Sequence, residues 1–103
     1  MTDYPAVSIL CVDDDPFFLD SFRQILEREP GFAIQSFSTG ADALESLSSY
    51  HFDVIISDFE IPDIDGITLL KDVRARGYVG LFIIVTGKHR AHIAIDALNN
   101  GAN

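Results

Sequence analysis

Two short apolar runs in this chain end directly in aspartates. Residues 9–12 run into three aspartates at positions 13–15, and residues 54–57 stop at Asp58. Apolar runs of four to eight residues are typical of buried parallel strands. Open α/β sheets place their ligand sites outside the carboxyl ends of such strands. The two runs therefore predict a parallel sheet that carries a cluster of carboxylates at one edge.

Strand-like and helix-like segments alternate four times along the chain, with short connections. The predicted strands cover residues 7–12, 32–37, 53–57 and 81–85. Each is followed by a segment whose apolar residues recur at helical spacing. Four such units in a row favour an α/β fold in which helices cover both faces of a doubly wound parallel sheet.

The helix boundaries are predicted from capping residues. Asp15 precedes Pro16 and is a suitable N-cap, because a proline at the first helical position lacks only an N–H that would have no helical partner. Pro30-Gly31 is expected to end this first helix, and Asp65 to cap the third. The predicted buried stripes are Phe18, Phe22, Ile25 and Leu26 in the first helix, Ala43, Leu44 and Leu47 in the second, Ile67, Leu70 and Val73 in the third, and Ile93, Ala94, Ala97 and Leu98 in the fourth.

The composition limits what the chain can bind. Its 103 residues include 16 acidic and 7 basic side chains, which gives a net charge of −9. Such a surface repels nucleic-acid phosphates and anionic membranes, and no apolar stretch is long enough to span a bilayer. The single cysteine, Cys11, cannot form an internal disulfide, which fits a reduced cytoplasmic setting. We expect one cytoplasmic domain without direct contacts to nucleic acid or membrane.

The fourth predicted strand, residues 81–85, is apolar on both faces, as a central strand would be. If the chain ended at Asn103, this strand would form an unprotected sheet edge, which natural proteins avoid. Either a further strand lies beyond residue 103 or a partner covers this edge. We favour the further strand, so that segment 1–103 would be a C-terminally truncated domain.

The carboxylates at the predicted sheet edge imply a cation. Three or more negative charges gathered in one place repel one another unless a positive ion lies among them. Magnesium takes oxygen ligands in near-octahedral geometry and keeps several waters, so two or three carboxylates suit it. A hard divalent metal beside an aspartate with its own chemistry is the leading hypothesis.

Five motifs extend this pattern over almost the whole chain. They are ILCVDDDP at 9–16, DVIISD at 53–58, IPDIDG at 61–66, IIVTG at 83–87 and ALNNGA at 97–102. In this order and spacing, the chain resembles the CheY-like receiver domains of two-component response regulators. The resemblance implies a flavodoxin-like sheet of strand order 2-1-3-4, with strand 5 absent from this segment. The family's fifth strand, its lysine-proline pair, its switch aromatic and its fifth helix would follow residue 103.

The resemblance also implies a division of labour among the acids. Asp58 would be the phosphoacceptor, and it would hold Mg²⁺ together with Asp13, Asp14 and the backbone carbonyl of Glu60; Mn²⁺ can take the same ligands. Asp15 fits better as the helix cap, although a register slip that recruits it to the metal stays open.

The end of the fourth predicted strand supplies the remaining site residues. The hydroxyl of Thr86 would sense the phosphoryl group, the alternative being a β-favouring residue at a strand end. Gly87 would leave room for the phosphodonor.

The function implied by the resemblance is a signalling switch. A histidine kinase or a histidine phosphotransfer protein would phosphorylate Asp58, and the switch would change contacts with an output domain or target protein. The domain would catalyse its own phosphorylation and slow dephosphorylation without being an enzyme in the ordinary sense. The resemblance also allows a dimer through the side formed by helix four and strand four.

Two other functions stay open at this point. One is a degenerate receiver that acts as a phosphorylation-independent interaction module. The other is an Mg²⁺-dependent phosphohydrolase with an aspartate nucleophile. Such hydrolases place an acid/base aspartate two residues after the nucleophile, and Glu60 stands at that position here.

We predict that the side chains of Glu60 and Lys88 pair across the entrance of the phosphoryl site and hinder the attacking water. The double substitution Glu60→Ala with Lys88→Ala should then shorten the lifetime of the aspartyl phosphate, measured as loss of the phosphoryl mass with time. An unchanged lifetime would instead mean two solvated charges that contribute less than about 1 kcal/mol.

Overall fold

The computed structural model describes residues 7–28, 30–85 and 101. Strands and helices alternate as β1 (Val7–Val12), α1 (Pro16–Leu26), β2 (Phe32–Phe37), α2 (Gly40–Ser46), β3 (Val54–Asp58), α3 (Gly66–Ala75) and β4 (Leu81–Val85). The predicted fourth helix and the predicted site residues Thr86, Gly87 and Lys88 lie outside the described residues. No helix within the described ranges is long and apolar enough to cross a membrane.

The four strands form one parallel sheet in the order β2-β1-β3-β4, which confirms the predicted fold class and strand order. The chain therefore adds β2 on one side of β1 and then crosses to the other side, where β3 and β4 follow. This crossing creates a topological switch point between β1 and β3, at whose carboxyl ends ligands bind in open α/β sheets.

The core lies mainly between the sheet and the helices α2 and α3. The central strand β1 is buried almost continuously, as its apolar run predicts: Ile9, Leu10, Cys11 and Val12 are each at most 4% exposed. The cluster between the sheet and these helices contains Leu10 and Val12 of β1 together with buried side chains from α2, α3, β3, β4 and the adjoining loops, namely Ala43, Phe52, Ile55, Ile61, Leu69, Leu70, Val73 and Phe82. The predicted stripe of α3 is confirmed, because Ile67, Leu70 and Val73 are all buried.

The two predicted helix caps are confirmed. The carboxylate of Asp15 accepts a hydrogen bond from the backbone N–H of Phe17 at 2.9 Å, and Asp65 accepts one from Thr68 at 2.7 Å. Each aspartate thereby satisfies an N–H group in a first helical turn that has no partner within the helix. The starts of α1 and α3 are consequently fixed by local hydrogen bonds next to the predicted site.

Helix α1 ends earlier than predicted. Its last helical residue is Leu26, with Glu27 as C-cap, whereas the sequence pattern suggested that it would run to Pro30-Gly31. A proline ring clashes with the carbonyl of the residue four positions earlier, which here is Leu26. The effect of the proline therefore reaches back a full turn.

The buried stripe predicted for α1 is wrong at Ile25, which is 57% exposed. Phe18, Phe22 and Leu26 are half-buried, and so is Leu19, which the prediction left out. The stripe is therefore centred farther around the helix, and Ile25 lies at its outer margin.

Two strands also differ in detail from the prediction. β3 starts and ends one residue later than predicted, because Asp58 still pairs with Val85 of β4. In β4, Phe82 is fully buried, whereas Leu81 and Ile83 on the opposite face are 48% and 38% exposed. The further strand expected from the apolar character of β4 stays a prediction.

Cys11 is a free thiol buried in β1. Burial raises its pKa to about 11, with a smaller opposing effect from the charge of Arg23. The thiolate is therefore scarce at neutral pH, and the residue behaves as a small apolar core side chain.

The substitution Leu70→Ala tests the packing of α3 against the sheet. Leu70 is fully buried, so the shortened side chain leaves a cavity and should lower the free energy of unfolding by about 2–5 kcal/mol. Urea denaturation measures this loss. Val79→Ala is the control, since Val79 is 92% exposed and should change stability by less than about 0.5 kcal/mol. A loss for Leu70→Ala no larger than that of the control would contradict the described core.

Candidate metal and phosphoacceptor site

The strand register brings the predicted acids together. Val12 of β1 pairs with Ser57 of β3, so the next residues, Asp13 and Asp58, lie side by side at the carboxyl edge of the sheet. Carboxylate oxygens of Asp13, Asp14 and Asp58 lie within 4.8 Å of one another. These are the three aspartates predicted to take part in metal binding and phosphoryl transfer.

Asp13 is the most tightly held member of the cluster. It is 7% exposed, and its Oδ1 accepts a hydrogen bond from the backbone N–H of Asp15 at 2.9 Å. Its own backbone N–H donates to the carbonyl of Phe37 at 3.1 Å, which continues the pairing with β2 beyond the strand end. Asp14 is exposed, and Asp58 is half-buried. The cluster is therefore held in place at Asp13 and is open to solvent at Asp14.

The surroundings of the cluster resist the accumulation of negative charge. Burial raises the pKa of Asp13, a hydrogen bond from Asp15 opposes this effect, and the charge of Asp58 adds to it. Burial likewise raises the pKa of Asp58, against backbone hydrogen bonds from Glu60 and Phe59. The charge of Asp14 raises it further. A bound cation would lower both the desolvation cost of the buried carboxylates and the repulsion between them.

The donor set fits magnesium. All three side chains offer hard oxygen ligands, the type that Mg²⁺ takes in proteins. One carboxylate oxygen of each lies within 4.8 Å of those of the other two. Asp13, Asp14 and Asp58 are therefore the residues that would hold the ion.

Asp15 is occupied elsewhere. Its carboxylate caps α1 through the N–H groups of Phe17 and Phe18, and it is absent from the group of close carboxylates found among the described residues. This arrangement favours the cap over a register slip that would recruit Asp15 to the metal.

The loop that follows Asp58 folds back over the strand end. Glu60 forms an antiparallel bridge with Asp65, and the N–H of Gly66 donates to the carbonyl of Phe59 at 2.7 Å. A Cβ atom at Gly66 would lie 2.8 Å from the carbonyl oxygen of Asp58, so only glycine fits there. The loop is thereby closed close to the predicted phosphoacceptor.

Sequence reasoning missed the part that Asp63 plays in this loop. Its two carboxylate oxygens each accept a 2.8 Å hydrogen bond, from the backbone N–H groups of Gly40 and Ala41 at the start of α2. These bonds, that from Gly40 first, hold the pKa of Asp63 below its usual range. Nothing in the local pattern links residues that are 22 and 23 positions apart, so the sequence carried no signal for this contact.

Comparisons with known proteins place the chain in one family. The model of the response regulator receiver domain matches residues 9–103. A protein-glutamate methylesterase/protein-glutamine glutaminase of Pseudoalteromonas atlantica is 35% identical over 99 residues, covering 94% of this chain and 26% of the relative. The DNA-binding transcriptional regulator NtrC of Escherichia coli is 37% identical over 94 residues, covering 88% of this chain and 19% of the relative.

Solved structures agree with this assignment. A CheY-like response regulator receiver domain protein from Methanospirillum hungatei superposes with a TM-score of 0.87 at 33% identity, covering 95% of this chain and 78% of that one. The chain therefore belongs to the response regulator receiver domain family, the CheY-like receivers of two-component signalling. It spans about a quarter or less of the length of the two curated relatives described above.

The variant Asp58→Asn tests the repulsion within the cluster. Without metal, the loss of one of three close negative charges should raise the free energy of unfolding by about 0.2–1 kcal/mol. Urea denaturation in EDTA measures this gain, and added Mg²⁺ should stabilise the wild type more than the variant.

Glu45→Gln is the matched control for that experiment. It removes the same charge from the exposed surface of α2, so it should change the stability less and leave the response to Mg²⁺ intact. An Asp58→Asn variant that is less stable than the wild type in EDTA would contradict the described electrostatics.

Proposed function

We propose that this chain is a phosphoacceptor receiver in which Asp58 takes a phosphoryl group while Mg²⁺ is held by Asp13, Asp14, Asp58 and the backbone carbonyl of Glu60. The observation that supports this proposal best is the group of three carboxylates within 4.8 Å at the carboxyl edge of the sheet. Membership of the receiver family supports the same assignment.

The chemical step needs little from the protein beyond position and charge. A carboxylate oxygen of Asp58 attacks the phosphorus of a phosphohistidine, so an O–P bond forms as the N–P bond breaks. The electron pair of the broken bond stays on the imidazole, which takes up a proton from water. When bound, Mg²⁺ neutralises charge on the transferred phosphoryl oxygens.

The chain's own residues orient the acceptor. Backbone hydrogen bonds from Glu60 and Phe59 act on the carboxylate of Asp58, and its half-buried position leaves it accessible from outside. Asp13 is fixed by the N–H of Asp15, so that its second oxygen remains for the metal. Preorganisation of this kind lowers the cost of bringing acceptor and donor together.

The partners follow from this chemistry. The phosphoryl donor would be a histidine kinase or a histidine phosphotransfer protein, and the phosphorylated domain would act on an output domain or target protein. In this proposal, Thr86 and the segment after it respond to the new phosphoryl group and alter partner binding. Relatives that carry a methylesterase or a transcriptional regulator name suggest that receivers of this type work next to an output function.

The alternative functions have less support. A degenerate receiver would be expected to lack part of the acid set, whereas all three carboxylates converge here. A phosphohydrolase of this kind would carry an acid/base aspartate two residues after the nucleophile, where this chain has Glu60, and the family match favours a switch over turnover of a phosphate ester.

Incubation with acetyl phosphate and Mg²⁺ tests the proposal. The wild-type chain should gain the mass of one phosphoryl group, and both EDTA and the substitution Asp58→Asn should abolish the gain. Asp20→Asn, which changes an exposed aspartate of α1, is the control and should be phosphorylated like the wild type. A mass gain that persists in Asp58→Asn would contradict the assignment.

A further inference from the structure

The contact between Asp63 and the start of α2 ties two separate parts of the chain together. Asp63 lies in the loop between β3 and α3, and its Oδ1 and Oδ2 accept from the N–H groups of Gly40 and Ala41, both at 2.8 Å. A carboxylate that uses both oxygens on backbone N–H groups makes charge-assisted bonds with a defined geometry. The contact therefore fixes the position of the loop as well as capping the helix.

Packing reinforces this link. Gly40 is buried, and a Cβ atom there would lie 2.6 Å from Cγ1 and Cδ1 of Ile64 and 3.4 Å from Cδ1 of Ile61. The start of α2 is thus in van der Waals contact with the same loop that Asp63 holds by hydrogen bonds. A bulkier residue at position 40 would push the two apart.

The loop between β3 and α3 is short and is closed by its own hydrogen bonds. A displacement of Asp63 should therefore also displace Glu60, whose carbonyl is the proposed metal ligand. The bridge between Glu60 and Asp65 spans Asp63, and the bond from Gly66 to Phe59 closes the loop beside Asp58. Few backbone torsions remain between Asp63 and Glu60 to absorb a shift.

We infer that Asp63 is a positioning residue, which holds the loop that carries the Glu60 carbonyl against α2 and thereby strengthens Mg²⁺ binding at the carboxylate cluster. The inference rests on the proposed function, which makes that cluster and carbonyl a Mg²⁺ site. An ordered loop presents its ligand without an ordering cost at the moment of binding, whereas a released loop must be ordered by the metal.

The coupling must act in both directions. If the contact of Asp63 with α2 favours Mg²⁺ binding, then Mg²⁺ binding favours that contact by the same free energy. Mg²⁺ should therefore slow hydrogen exchange at the amides of Gly40 and Ala41, although neither lies in the proposed metal site.

Isothermal titration of Mg²⁺ into the unphosphorylated chain tests the inference. Asp63→Ala should raise the dissociation constant by about 10-fold, the size typical of lost support around a metal ligand. Asp63→Asn, which keeps one acceptor oxygen and the shape of the side chain, should lie between the alanine variant and the wild type.

Thr39→Ala is the matched control. Thr39 caps the same helix through the N–H of Asp42 at 3.2 Å but, within the described part of the chain, makes no hydrogen bond to the loop after β3, so its loss weakens α2 without releasing the loop. It should leave the Mg²⁺ affinity unchanged and should preserve the slowing of exchange at Gly40 and Ala41 by Mg²⁺. Asp63→Ala should lose that slowing.

Two results would overturn the inference while the proposed function stands. One is a wild-type Mg²⁺ affinity in both Asp63 variants, and the other is an equal loss of affinity in Asp63→Ala and Thr39→Ala, which would reduce Asp63 to a helix cap. In either case phosphorylation of Asp58 would still be observed.

Two further results concern the proposed function. A wild-type chain that binds no Mg²⁺ overturns the inference together with the metal site. A chain that binds Mg²⁺ normally but is not phosphorylated overturns the proposed function alone.

Discussion

Repulsion among carboxylates at the carboxyl edge of the sheet is the constraint around which the site is built. The pairing of Val12 with Ser57 makes the approach of Asp13 and Asp58 unavoidable, because residues that follow paired positions in parallel strands leave the sheet side by side. Burial of Asp13 and partial burial of Asp58 increase the cost of holding both charges. The fold thus supports a cluster that is poorly stabilised by itself and well suited to a divalent cation.

Hydrogen bonds that involve backbone groups hold the acids of the cluster and the loop after Asp58 in place. The N–H of Asp15 orients Asp13, while the carboxylate of Asp15 starts α1. Beyond Asp58, the loop is closed by the bond from Gly66 to Phe59 and tied to α2 by Asp63. Two helices and one loop therefore take their positions from groups within a few residues of the site, which links the stability of this edge to its chemistry.

The strands, the caps and the acid cluster could be predicted because each depends on local sequence or on one simple rule of parallel sheets. The apolar run at residues 9–12 and the Asp15-Pro16 pair are local signals, and strand ends of a parallel sheet share one edge. The predicted end of α1 is wrong because the effect of Pro30 is exerted on Leu26, a turn earlier. The predicted burial of Ile25 is wrong because spacing alone does not fix the rotation of a half-buried helix about its axis.

Contacts between distant parts of the chain could not be predicted from the sequence. The pairing of Asp63 with the start of α2 depends on how the loop after β3 packs on Gly40, which no periodicity encodes. The same holds for Asp53, whose carboxylate accepts from the N–H of Ser8 at 2.8 Å across the amino edge of the sheet. Such side-chain-to-backbone bonds arise from tertiary packing, so the spacing of residues along the sequence does not predict them.

The central claim is that Asp58 is the residue that carries the phosphoryl group. Borohydride reduces an acyl phosphate to an alcohol, so trapping of the phosphorylated chain followed by peptide mapping identifies the acceptor directly. Phosphorylation of Asp58 should yield homoserine at position 58 and at no other aspartate of the cluster. Homoserine at position 13, 14 or 15, with Asp58 intact, would contradict it.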